Sequence, residues 1–337
     1  MGIWAAKRVR AIEGAIKMLE TVFYSLNTFV VGLSSIFNML IPNEPWVPYL
    51  RDFLLAVYLF SLYFSGWLDE PLLKLHRTLY LLIAGPFALS LVLMTDSGTA
   101  MVLWIGIAAL SSSEFFNFQI LRKVGKIYDD EVSLYHTKIA LKTRDAGEYF
   151  VNASGYLAPL IIVVATSRNV FTNPLSVYLF LMYFTVIAIP IYLATSRFVK
   201  RMGIMAEPAV PAVTAVILGT AMVGFFNQPI ELKPQAIFIF ATVASIVACD
   251  TIRLGYSALR YGYRETTGSV GGAGIFDGVL AGGIHGVVFW HLWHTEWMPW
   301  IFLGFAYYVF CVYLIELVVL TIAGIVIWIL WRAVTGG

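Results

Sequence analysis

The chain has 337 residues, of which 60% are hydrophobic and 12% charged, with a formal net charge of +2. A soluble domain carries about 25% charged residues to cover its surface, so this composition excludes a water-soluble globular protein. The net charge says nothing about nucleic acid, there is no basic tail, and no nucleic-acid partner is expected. Cys249 and Cys311 both fall in apolar segments. They read as small buried thiols, without the spacing of a disulfide framework or a zinc site. No metal or cofactor is implied.

Residues 1–18 are basic and amphipathic, with Trp4, Val9, Ile12 and Ile16 set against Lys7, Arg8 and Lys17. This pattern predicts an interfacial helix on the cytoplasmic face. It leads into an apolar run too long for a cleaved signal peptide, hence an uncleaved first span. Crossing the hydrocarbon core takes about 20 apolar residues. That criterion predicts about ten spans, at 19–41, 48–68, 78–95, 99–121, 148–167, 174–196, 208–228, 235–256, 269–292 and 300–331. The third and fourth are separated only by Asp96-Ser97-Gly98, which has the chemistry of a tight turn. Residues 122–147 carry charges of both signs and read as a partly helical cytoplasmic loop. They divide the chain into 1–121, with the interfacial helix and four spans, and a six-span region over 148–337.

Lys and Arg placement tests this topology. With the N-terminus on one side, 19 of the 22 basic residues share that side; Arg51, Arg168 and Lys233 are the other three. Cytoplasmic loops carry the Lys/Arg excess, so both termini are predicted to be cytoplasmic. The fold class is all-α, a polytopic transmembrane helical bundle whose immediate partner is the lipid bilayer.

Two acidic residues stand out. Asp250, in ATVASIVACDTIRLGY, and Asp277, in GSVGGAGIFDGVLAGGI, lie in adjacent predicted spans joined by one short polar loop. Each sits about 10–12 Å from the cytoplasmic edge at a rise of about 1.5 Å per residue. A carboxylate at that depth is costly and marks a functional site by default. Two within hydrogen-bonding reach would share a proton and work as an acid–base pair. Gly274, Gly278 and Gly282 recur every four residues and predict close helix contact. The seven glycines of Gly268–Gly283 also make a soft backbone beside which an extended substrate can lie. Gly271, Gly272, Gly274 and Gly278 are therefore substrate-binding candidates. Structural alternatives stand beside this: Asp250 pairing with Arg253 one turn on, and Asp277 as an N-terminal residue of a helix that begins near Ile275, the glycine-rich stretch being a loop.

Further polar residues fall within predicted spans. Glu114, Asn117, Asn152, Glu316 and His285 are candidates for lining a polar cavity, or for interhelical hydrogen bonds; His285 and Glu316 are at depths where they can bond. His291 and His294 are interleaved with Trp290, Trp293, Trp297 and Trp300, which fits an interfacial aromatic belt better than a metal site. The chain has no His-Glu-x-x-His, Walker or Gly-x-Ser-x-Gly motif, which disfavours zinc, ATP-driven and serine-hydrolase chemistry.

The segments Ala248-Cys249-Asp250 and Gly271-Gly272-Ala273-Gly274-Ile275-Phe276-Asp277-Gly278 resemble the signature of a prokaryotic membrane-protein family of unknown function. Val151–Gly155 with Pro159, and Pro208-Ala209-Val210-Pro211, match it more weakly. That family in turn resembles the intramembrane aspartyl proteases, including presenilin and signal peptide peptidase. The resemblance implies Asp250 and Asp277 as catalytic residues, a transmembrane or signal-type helix as substrate, and a prokaryotic cell-membrane location. It adds Pro208 and Pro211 as substrate-binding candidates. Phe276 and Cys249 depart from the protease pattern, and the Pro-Ala-Val lies before both aspartates instead of after the second. Two other functions use the same features: a proton- or ion-coupled transporter, and a non-catalytic subunit of a membrane complex.

Overall fold

The computed structural model describes residues 46–64, 70–111, 117–121, 127–134, 137–144, 149–199, 203–206, 209–261, 268–270 and 277–335. The first predicted span, 19–41, and the interfacial helix lie outside these residues.

Helix α1 is Val47–Phe64. Helix α2, Glu70–Leu79, continues through a wide π-helical turn, Tyr80–Ala84, into α3, Gly85–Leu93. Met94 ends α3 in the left-handed region at φ 53°. Asp96 then caps α4, Ser97–Ser111, by accepting from the Thr99 amide at 2.9 Å. The tight turn expected at 96–98 thus begins two residues earlier. Helix α5, Ala158–Val170, is preceded by a π-turn over Ala153–Leu157. Asn173 caps α6, Pro174–Tyr183, with Pro at the first position where its missing N–H costs nothing. A π-turn, Phe184–Ala188, leads into α7, Ile189–Ala194. Helix α8 is Ala209–Phe225; α9 is Lys233–Ala244 and runs through a long π segment, Ser245–Arg253, into α10, Leu254–Tyr261. Helices α11, Gly278–Leu292, and α12, Met298–Thr335, complete the described chain.

Three of these continuous helices are long and apolar enough to cross a membrane: Lys74–Leu93, Pro174–Ala194 and Ile230–Ser257. Shorter apolar helices cover Ser97–Ser111, Ala209–Phe225, Gly278–Leu292 and Met298–Phe310.

Connections on the basic side carry strands that the hydropathy pattern did not predict. Strands β1 (Asn117–Leu121), β4 (Tyr149–Asn152) and β7 (Gly268–Val270) form one sheet in that order. β4 lies antiparallel to β1 and parallel to β7. Within the stretch 122–147, expected to be partly helical, the described residues are instead two paired antiparallel strands, β2, Ile127–Leu134, and β3, Thr137–Arg144, in a register that sets Asp129 opposite Lys142. β5, Ser196–Val199, and β6, Gly203–Ala206, form a second antiparallel pair. Predicted spans 99–121, 148–167 and 269–292 therefore each give up an end to a strand.

Helix α9 sits at the centre, against α5, α8 and α11. Residues Ala236 to Ala241 are each at most 1% exposed, as expected of a helix apolar on every face. Small residues set the spacing. A Cβ on Gly219 of α8 would lie 2.7 Å from the Ile237 backbone nitrogen, and one on Gly283 of α11 would lie 2.6 Å from the Phe238 ring. The tightest approaches of α11 are thus at Gly283 and Gly286; of the expected Gly278 and Gly282, a Cβ on the first would be in ordinary contact and one on the second would meet nothing within 4 Å.

Candidate functional site

The π segment Ser245–Arg253 is the local feature that orients Asp250. A π-helix closes i→i+5 hydrogen bonds, and the Leu254 amide accordingly donates to the Cys249 carbonyl. At this wider pitch, residues five apart come close to the same face. Asp250 therefore follows Ser245, where an ordinary α-helix would turn it well away. Single π-turns within helices often mark functional sites, and this one spans nine residues.

Asp250 is partly exposed, with its Oδ2 buried. The segment around it is braced against the end of α7. Arg253 donates to the carbonyls of Leu193 and Ser196, the latter at 2.7 Å, and to Ser196 Oγ at 3.4 Å. The buried Cys249 thiol points to the Tyr192 carbonyl at 3.8 Å, and the Tyr192 hydroxyl donates to the Pro211 carbonyl at 3.1 Å. Pro211 is thus a buried structural residue of α8 joined to the Asp250 segment through Tyr192. Pro208 lies outside the described residues.

Asp277 is the N-cap of α11. Its backbone is extended, at φ −69° and ψ 144°, and its Oδ1 accepts from the Val279 amide at 3.1 Å. It stands at the helix entry instead of eight residues inside a span. The start of α11 lies against the Asp250 helix: Thr242 Oγ1 donates to the Val279 carbonyl at 3.3 Å, and a Cβ on Gly278 would lie 3.6 Å from Ser245 Oγ. The π segment as a whole packs against α11. The entry of α11, which Asp277 caps, thus lies against the helix that carries Ser245 and Asp250. Strands β6 and β7 pack against the same π segment.

The other expected residues divide. Asn152 is buried and caps the π-turn at Ala153, accepting from the amides of Ser154 and Gly155 and from Ser154 Oγ. The β1–β4 register sets it opposite Asn117, and its π-turn packs against α11. His285 is buried two turns into α11. Gly271, Gly272, Gly274 and Glu114 lie outside the described residues, as do the side chain of Glu316 and its expected bond with His285. Among the described residues, no group of three His, Cys, Asp or Glu side chains is arranged to hold a metal.

At the far end of α11, His291 is not merely part of an aromatic belt. Its Nε2 lies 3.1 Å from Asp52 Oδ1, which also receives Arg51 at 2.9 Å. This pairing, and the roles of Ser245, Thr242, Tyr80 and Tyr192 around the aspartates, were not found from the sequence. Polar residues in an apolar helix one to two turns before Asp250 were the available signal for Ser245 and Thr242.

No curated protein and no solved structure matches the chain. A family model described as a protein of unknown function, DUF1614, matches residues 86–289, which hold α3 through most of α11 and both aspartates. The match covers more than half of the 337 residues, and the chain belongs to the DUF1614 family.

Proposed function

We propose that this is a multi-pass membrane protein with its N-terminus in the cytoplasm, and that Asp250 and Asp277 form an intramembrane aspartyl-protease-like pair acting on transmembrane or signal-type helices. The observation that supports this most is the convergence of the α11 entry on the helix carrying Asp250, where Thr242 bonds the Val279 carbonyl and Ser245 meets Gly278. In this reading the Val279 amide and the positive end of α11 favour negative charge on Asp277, so Asp277 is the base. It takes a proton from water, and the oxygen attacks the scissile carbonyl while Asp250 gives its proton to the carbonyl oxygen. Collapse of the resulting diol returns one proton to the leaving nitrogen, and the pair ends with a single proton as it began. β7, at an edge of its described sheet, leads into the glycine-rich approach to Asp277 and gives an extended substrate a backbone to follow.

The test is cleavage of a single-span reporter in liposomes by the wild-type protein and by Asp250→Asn and Asp277→Asn. Loss of cleavage in both variants is expected. Wild-type cleavage by either one ends the proposal. Ion flux that needs the same acids, without any peptide cleavage, would replace it with a transport function.

A further inference from the structure

Two turns along α11 from Asp277, His285 is 4% exposed, and both of its ring nitrogens are buried with no hydrogen-bond partner among the described residues. A neutral imidazole has one donor and one acceptor, and buried polar groups of this kind are nearly always paired, often through internal water. The ring is enclosed by other titratable rings. Tyr58 stacks on it at 5.3 Å, His76 lies at 5.8 Å and Tyr80 at 6.2 Å between centroids. Tyr58 and His76 stack on each other at 4.7 Å.

The Nδ1 of His76 lies 3.3 Å from the Tyr58 carbonyl and 3.1 Å from Ser61 Oγ, and that hydroxyl donates to the same carbonyl at 2.7 Å. Both neighbours are therefore free to accept, an arrangement that suits hydrogen on Nδ1 and a bare Nε2 in the neutral ring. Tyr80 lies between the two: its ring is beside His285, and the π-turn that it opens packs against α11, the helix that Asp277 caps. On the α8 and α9 sides, Ala212, Val216, Ile237 and Phe238 pack against Gly283 and Gly286. Arg77, exposed on α2, is the charged group acting on His76.

We propose that the His285–Tyr58–His76 cluster holds internal water and is the proton-exchange branch of Asp277, with Tyr80 joining the two. In each transfer, the bare ring nitrogen takes a proton from a water or tyrosine O–H while the opposite N–H releases one. The ring ends neutral, and one proton has moved along the path. The inference rests on Asp277 exchanging protons, as in the function proposed above, and holds equally if that exchange serves ion movement.

The experiment is a pH jump on the full-length protein in phosphatidylcholine liposomes, followed by infrared absorption of isotope-labelled aspartate carboxyls. Asp277→Asn identifies the Asp277 band. His285→Phe keeps the ring packing and removes both nitrogens. Its Asp277 protonation is expected to slow by about tenfold or more, with an unchanged final extent and partial recovery on adding imidazole. If His285→Phe does not fold, Tyr58→Phe, which keeps the stack, carries the same comparison. A wild-type rate in the folded variant overturns the inference, as does an Asp277 band that does not respond between about pH 4 and about pH 9. Reporter cleavage is measured on the same samples. Slowed protonation with no cleavage by any sample would end the protease function and leave this inference standing; cleavage with unslowed protonation would do the reverse.

Discussion

Replacing Asp277 by Asn and by Ala separates helix capping from proton chemistry. The Asp277 side chain makes one bond to the α11 backbone, accepting from the Val279 amide at 3.1 Å from a partly exposed position. Asn carries the same acceptor and ranks with Asp as an N-cap, whereas Ala at this position costs about 0.5–2 kcal/mol. A single bond of ordinary length puts Asp277→Ala near the middle of that range, about 1 kcal/mol. Asp277→Asn keeps that bond and loses the attraction of a charge to the helix end, about 0.3–1 kcal/mol. The assay is denaturant unfolding in micelles, run beside reporter cleavage. Asp277→Asn should be nearly as stable as wild type and inactive; Asp277→Ala should be inactive and measurably weaker. Equal loss of stability in the two would refute the capping geometry. Full activity in Asp277→Asn would leave Asp277 as a cap and nothing more.

Gly219→Ala puts a Cβ 2.7 Å from the Ile237 backbone nitrogen, about 0.7 Å short of the 3.4 Å at which ordinary contact begins. Helices α8 and α9 must part to admit it, at about 1–3 kcal/mol; thermal unfolding should show the loss, and cleavage should fall because α9 carries the Asp250 segment. Tyr192→Phe removes the bond to the Pro211 carbonyl and should cost about 0.5–1.5 kcal/mol in the same unfolding assay. Asp52→Asn breaks the pairing with Arg51 and His291. These side chains are partly exposed, so the loss should be under about 1 kcal/mol and should shrink further at high salt.

Helix positions were legible because bilayer-length apolar runs need no knowledge of their partners. Lys74–Leu93, Pro174–Ala194 and Ile230–Ser257 each coincide with a run read from hydropathy alone. The strands were not, because an apolar strand at the end of an apolar span has no period to distinguish it. β4 and β7 pair across more than a hundred residues, a contact that no local pattern encodes. The strand pair within Ile127–Arg144 carries charges of both signs, which a helix surface tolerates equally well. Asp250 and Asp277 were legible as misplaced charge. The capping alternative for Asp277 was legible too, since Asp followed by an apolar run is a helix-start signal. The π segment that turns Asp250 was not, because a shift in hydrogen-bond register comes from packing against α7 and the strands. Asp52 meets His291 from 239 residues away, and neither residue announces the other.

The most direct measurement is the coupling between the two carboxyl titrations, read by infrared absorption on wild type, Asp250→Asn and Asp277→Asn. Two acids that hold one proton between them should titrate in wild type as two steps more than about one pH unit apart. Neutralising either residue should then move the other's midpoint by a comparable amount. Midpoints that stay where they are when the neighbour is neutralised would show two independent carboxylates and contradict the shared-proton pair.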